Sequence, residues 1–446
     1  MITIGKPYLD EKDGMIYLKA SVSIPVEAAE AWIAFSHTAP SDWRLKEDYP
    51  PVAWSKPDFG MYFAVGKEHE EALCADRADA FLAAIIYYAM ATGSDITCHA
   101  PVSQEILYGL RYELIPILCN EKTGFREIKI IAPVATEPYP NRGYVATGMS
   151  CGVDSMFTLK KHTQPEMLPK YQLSYLTYFN VGAIFQPMNT KRGCSLDEFN
   201  RELKRSCQEK LQLAKTVADE SGLPILFVDT NIDTDFYRGG FIYTMTYRNC
   251  AAVLATQGYW SVYLSSSSGL TDEYNQPPSL REDPALFEKL VMDTFRTASC
   301  YLMESGAESN RMKKTESIAD FPVANRHLDV CYYGNACGHC KKCQRTLLTL
   351  DIQHKLDAFQ ECMDIDRFRR ERANAYGWLI RQKWFGKDRW ELFDNAKKQK
   401  IIPAKAYWYA ICLSVTQIGY NLLHNIPGIM DSRFVKWVMK CLKQQA

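Results

Sequence analysis

Six consecutive residues, Ser150-Cys151-Gly152-Val153-Asp154-Ser155, have the types and order needed to hold a phosphate. An apolar run at 143–147 precedes them and a helix-like run follows from Met156. A strand, a tight turn of small residues and a helix start make an anion cradle. The first N–H groups of a helix lack intrahelical partners, and the helix dipole favours negative charge there. Gly152 permits close backbone approach, and the Ser150 and Ser155 hydroxyls can donate to phosphate oxygens. Asp154 is placed to contact magnesium or to cap the helix. No Gly-Lys-Ser/Thr follows, so this is not a Walker A loop, and the alternative is an ordinary strand-to-helix turn.

A second cluster lies far downstream. Cys331, Cys337, Cys340 and Cys343 place four thiols within thirteen residues. Four thiolates suit a closed tetrahedral zinc site, and Gly334 and Gly338 allow the sharp turns that convergence needs. An iron–sulfur cluster would use the same ligands. A closed four-thiolate site has no open position for water, so its expected role is structural.

Taken together, residues 143–350 resemble the 7-cyano-7-deazaguanine synthase (QueC) family of PP-loop ATP pyrophosphatases. The hexapeptide is similar to that family's SGGxDS loop, and 331–345 to its CxxGxxxCGxCxxC zinc loop. Weaker likenesses are Phe179-Asn180-Val181-Gly182, Tyr247-Arg248-Asn249 ahead of a helix, and Lys314-Thr315-Glu316 at a helix start. There are departures. Cys151 stands at the family's first glycine, Asn180 at its substrate-side Asp, Ala183-Ile184-Phe185 at Gln-Arg-His, and the loop 269–278 does not reproduce its Gly-Tyr-Pro-Asp-Cys-Arg.

The resemblance implies ATP and Mg2+ at the loop, Zn2+ at the cysteines, and an ATP-dependent C–N ligase. Such an enzyme adenylates a carboxylate, a 7-deazapurine acid being the candidate, with loss of pyrophosphate. The backbone of 151–155, with Ser150 and Ser155, would hold the β- and γ-phosphates; Asp154 and Ser155 stand as catalytic candidates. Arg248 and Lys314 are candidate phosphate or carboxylate clamps, with a structural ion pair as the other reading. Cys151 is either a small replacement for glycine or a thiolate activated by the helix terminus. Some extended members belong to antiphage defence or surface-polysaccharide gene sets. The competing functions are a PP-loop sulfur transferase acting on tRNA or a small molecule, and a nucleotide-binding module without turnover.

With 446 residues, 47% hydrophobic, the chain can bury a large core across two or three domains. Its net charge of zero disfavours wholesale attraction to nucleic acid or anionic membrane. Fifteen cysteines and the absence of a signal-peptide layout fit a cytoplasmic location. Residues 1–140 read as an α+β domain that carries no chemical motif and is a candidate protein-partner surface. Residues 141–350 alternate strand and helix, the pattern of a doubly wound parallel sheet of PP-loop (HUP-like) type. Expected strands include 15–24, 61–65, 127–131, 173–179, 224–229 and 260–264; expected helices include 79–91, 195–222 and 242–256. Residues 351–446 form a basic helical region with a net charge of +7, holding five of the nine tryptophans. The Trp faces of its amphipathic helices are expected to pack on the PP-loop domain with the lysines solvated; nucleic-acid binding is the less favoured reading, and a homodimer the candidate oligomer.

Overall fold

The computed structural model describes residues 1–38, 58–120, 124–184, 195–237, 241–267, 287–331, 336–338, 340–385 and 392–424. These divide into two compact units, Met1–Ser309 and Asn310–Ala446. The loop 269–278, Phe185, Gly334, Trp390 and Trp437 lie outside the described residues.

The first unit opens with β1 (Ile2–Ile4), β2 (Tyr8–Lys12), β3 (Met15–Ser23), α1 (Val26–Thr38) and β4 (Asp58–Gly66). It continues through α2 (Asp79–Thr92), β5 (Ile96–Cys98), β6 (Val102–Ser103), α3 (Gln104–Gly109), α4 (Ile115–Asn120), β7 (Ile130–Ile131) and β8 (Val134–Ala135). Then come β9 (Tyr144–Gly148), α5 (Val153–His162), β10 (Tyr175–Phe179), α6 (Leu196–Glu220), β11 (Ile225–Thr230), α7 (Phe241–Ala255), β12 (Trp260–Ser266), α8 (Glu288–Phe295) and β13 (Tyr301–Ser305).

Alternation decides the early strands. In β3, Ile16, Leu18, Ala20 and Val22 are buried while the residues between them are not, so one face meets the core. By contrast α2 is buried along its whole length and ends on Gly93 at φ 66°, the left-handed cap that glycine adopts without a Cβ penalty.

Eleven strands make one sheet, in the order β13-β12-β9-β10-β11-β4-β3-β1-β5-β7, with β2 beside β3. From β13 to β11 every pairing is parallel. Counting those five strands in chain order gives 3-2-1-4-5, the order of a doubly wound sheet. The chain leaves β9 toward β10 on one side and later returns to β12 on the other. In doubly wound sheets such a reversal of strand order, here at the carboxyl ends of β9 and β12, is where ligands bind.

The division at 309/310 differs from the boundaries at 140/141 and 350/351 read from composition. The cause is hydrogen bonding and packing across residue 140. β4 pairs antiparallel with β11, Asp229 opposite Ala64 and Thr230 opposite Phe63. The Trp32 ring lies tilted 4.8 Å from Tyr88 and edge-on 5.7 Å from Tyr237, and the Tyr237 hydroxyl donates to the Ala84 carbonyl at 2.7 Å. The proline-marked stretch near 133–143 is pinned: Arg77 donates to the Glu137 carbonyl, and Asn141 Nδ2 to the Ser299 carbonyl at 2.7 Å.

The second unit is helical: α9 (Arg311–Ile318), α10 (Pro322–His327), α11 (Lys341–Ile352), α12 (Ile365–Trp384), α13 (Leu392–Lys398) and α14 (Ala404–His424). Side chains cap α9, α11 and α12 through Asn310, Cys340 and Asp364. Among the described residues, no helix is long and apolar enough to cross a membrane.

Candidate functional site

The loop 149–152 leaves β9 at its carboxyl end and enters α5. It is held from both sides. Met149 N–H donates to the Thr177 carbonyl on β10 at 2.8 Å, and Thr147 Oγ1 donates to the Leu264 carbonyl on β12 at 2.7 Å. Beneath it, Tyr263 and Thr177 share a hydroxyl–hydroxyl bond of 2.8 Å. A Cβ on Gly148 would stand 3.3 Å from the Tyr263 oxygen, so that position has little room for a side chain.

Within the loop, Cys151 has φ 58°. This left-handed conformation costs an L-residue about 1 kcal/mol or more, and glycine nothing comparable. The Cys151 side chain is buried at 1% exposure. A thiol so enclosed is poorly placed to attack a substrate, which favours the reading of a small residue standing at a glycine position.

Gly152, in extended backbone, is the N-cap of α5 and supplies no side-chain hydrogen bond. The hydroxyls close on each other instead. Ser150 Oγ lies 3.2 Å from Ser155 Oγ and accepts from the Gly152 N–H at 3.4 Å, while Ser155 Oγ donates to the Gly152 carbonyl at 3.1 Å. Ser150 is exposed, Val153 and Ser155 are buried, and Asp154 is half-buried in the first helical turn. The cap is thus Gly152 and not Asp154, because the chain is already helical from Val153.

At its far end α5 is fastened by His162. One ring nitrogen meets the Tyr171 carbonyl and the other Ser305 Oγ, both at 2.8 Å. The carbonyl can only accept, so Nδ1 carries the proton and Nε2 accepts from serine. Burial holds the imidazole's pKa below its usual value and keeps the ring neutral.

For Arg248 the structure shows an ion pair, one of the two readings its sequence context allowed, and Asn180 lies beside it after β10. Arg248 sits inside α7 and is fully buried. Its guanidinium bonds Asp233 Oδ1 at 2.8 Å and the Val181 carbonyl at 2.9 Å, and lies over the Tyr237 ring at 4.5 Å. A Cβ on Gly182, where φ is 97°, would come within 2.6 Å of both Arg248 and Asp233. The described contacts of Arg248 are those of a buried ion pair that anchors the turn after β10. Asn180 donates its amide to Asp229 at 2.7 Å, and Asp229 also bonds Tyr62, whose hydroxyl pKa burial and that carboxylate push up. This Asn180–Asp229–Tyr62 set, spanning β10, β11 and β4, was missed in the sequence: it depends on the β11–β4 pairing, which no local pattern announces.

In the second unit, Lys314 is buried within α9, one turn past the Asn310 cap and not at the helix start. The four cysteines do converge. The sulfur atoms of Cys331, Cys337, Cys340 and Cys343 all lie within 4.8 Å of one another. Cys331, Cys340 and Cys343 are buried and Cys337 is half-buried. Gly338, at φ 74°, makes the turn. Backbone N–H groups of Cys340 and Cys343 point at the sulfurs of Cys337 and Cys340, at 3.3 and 3.5 Å, an arrangement that favours thiolates. Protonated, the Cys343 thiol is driven far up by hydrogen bonding with Cys331 and Cys340. Four sulfurs this close are well matched to one thiophilic cation, and zinc fits the donor set.

No protein-family model, no curated protein and no solved structure matches this chain.

Proposed function

We propose that the chain is an ATP-dependent adenylating enzyme of the PP-loop, QueC-like type. The observation that carries the reading is the place of its hydroxyl-lined, glycine-capped helix start. It lies at the carboxyl end of the first parallel strand, beside the point where the strand order reverses. In this reading a substrate carboxylate oxygen bonds to the α-phosphorus of ATP as the bond to pyrophosphate breaks. An amine then displaces AMP from the acyl adenylate. Ser150, Ser155 and the loop backbone would neutralise charge growing on the departing phosphates. Asp154, in the same first turn, would repel a bare phosphate; a divalent cation between them reconciles the two, which makes Asp154 the candidate Mg2+ contact. Zn2+ at the cysteines would serve folding. The carboxylate substrate, in this proposal, is a 7-deazapurine acid or a macromolecular acid, and defence or polysaccharide pathways are the proposed setting.

Pyrophosphate release from ATP, with and without a panel of acids that includes a 7-carboxylated 7-deazapurine, tests this. Acid-dependent release is expected, falling about a hundredfold or more in Ser155→Ala. ATP bound without release under any condition would select the non-catalytic module. Unchanged nucleotide affinity in a folded Asp154→Ala/Ser155→Ala chain removes the reading altogether.

A further inference from the structure

We propose that the exposed aromatic and cationic side chains around the end of α12 and the start of α14 form a docking surface for single-stranded nucleic acid. The inference stands apart from the ATP reading and uses none of its residues.

Charge is unevenly divided between the units. Residues 310–446 hold 24 Lys and Arg against 13 Asp and Glu, a net +11, and residues 1–309 hold the balancing −11. The zero overall charge therefore hides a strongly basic unit, suited to a polyanion.

That unit also leaves large rings uncovered. Trp384 is 50% exposed and Trp408 is 67% exposed. Phe385 and Tyr407 are exposed with them. The exposure has a packing cause. A Cβ on Gly377 would lie 2.6 Å from Tyr409 Cβ and 3.0 Å from the Ala406 carbonyl, so α12 and α14 touch backbone to backbone there. Such close contact is made by small residues: Ala406 and Ala410 form the buried side of α14. Trp408, two residues from each, is turned to the opposite side. Trp384 recurs on the Gly377 stripe two turns later, roughly 10 Å along α12.

Cations accompany the rings. The Arg381 guanidinium lies 5.5 Å over the Phe385 ring. Lys405 shares a helix face with Trp408 at i, i+3, and Lys397, Lys398 and Lys400 are exposed on and after α13. Flat rings with interleaved cations are what unpaired bases stack on, with charge for the backbone. An unpaired strand offers its base faces to such rings, whereas a duplex keeps them stacked inside.

The test is fluorescence anisotropy of a labelled oligouridine of about 20 nucleotides with the full chain, without ATP, at two salt concentrations. Binding that weakens with salt is expected. Trp384→Ala/Trp408→Ala should weaken it about tenfold or more, and Lys397→Gln/Lys398→Gln/Lys405→Gln should flatten the salt dependence. No binding, binding indifferent to the tryptophan pair, or capture by phosphatidylserine vesicles in place of RNA would each overturn the proposal. Because ATP is absent, failure here leaves the adenylation reading untouched, and the reverse holds too.

Discussion

The loop ahead of α5 and the loop ahead of α11 are built alike and end up as opposites. Each is a short turn of small residues leading into a helix, and each holds a non-glycine residue in the left-handed region, Cys151 at φ 58° and Ala336 at φ 46°. Ahead of α11 the side chains do the work: four sulfurs meet at one point, and Cys340 itself caps the helix. Such a site is closed once a cation is bound. Ahead of α5 the cap is a glycine with no side chain to offer, and the two serine hydroxyls turn on each other. That leaves a helix terminus whose electrostatics favour an incoming anion. Similar local geometry thus suits a metal staple in one place and, in the proposed reading, an anion receptor in the other, and what separates them is whether the side chains or the backbone converge.

The sharpest way to break this contrast is at the staple. Cys343→Ser should lower bound metal from about one ion per chain to near zero and destabilise residues 310–446 by more than about 4 kcal/mol. Metal analysis with urea unfolding reads both. A variant that keeps its metal and its unfolding midpoint removes the structural role; a brown, iron-containing wild type would replace zinc by a cluster.

A comparable loss is expected on the receptor's side of the molecule, some distance from the phosphate loop in sequence. Arg248→Met leaves Asp233 buried without its cation and should cost about 3–5 kcal/mol. Arg248→Met/Asp233→Leu should recover much of it, since an apolar pair can replace a buried ion pair. Were Arg248→Met as stable as the parent but unable to bind ATP, the clamp reading would return.

These two cases mark what was legible in the sequence. Cysteine spacing foretold the convergence, because a metal-like pattern is compressed into thirteen residues. The run at 143–155 foretold β9, the turn and α5, because each step has a local signature: an apolar stretch, small residues, a helical period. Helix α2 and its glycine stop were legible for the same reason. Arg248 was ambiguous because its partner, Asp233, lies outside its own helix, and the sequence could not say whether the arginine faced substrate or core. The domain boundary at 140 was misleading: proline-rich composition usually marks a linker, yet here Arg77, Asn141 and the β4–β11 pairing tie both sides into one sheet. β1, β2 and β13 went unread: β1 is three residues long, and β2 and β13 carry polar residues that break any apolar run.

A smaller effect should come from pH, through the anchor of the loop's helix. His162 has its folded pKa lowered from 6.5 by burial, so the unfolded chain takes up a proton first as pH falls. Its contribution to stability is complete above 6.5 and lost progressively below it, through the lowered folded value. His162→Gln should flatten that part of the stability–pH curve. An unchanged slope between the two would show that His162 does not hold α5 as a neutral ring.

The smallest expected change is the most telling about the loop. Cys151→Gly relieves a left-handed backbone but gives up a buried side chain and loosens the unfolded chain. One gain stands against two losses, each about 1 kcal/mol, so stability should fall by only about 1 kcal/mol. Nucleotide affinity should persist, because the anion site is made of backbone and hydroxyls. Cys151→Val should differ from Cys151→Gly by about 2 kcal/mol, since a β-branched residue tolerates φ 58° worse than cysteine does. Thermal unfolding and nucleotide titration of the two variants decide it. If glycine abolishes turnover while affinity and stability stay level, the thiol has a chemical role, and the loop would combine a receptor's backbone with a reactive side chain.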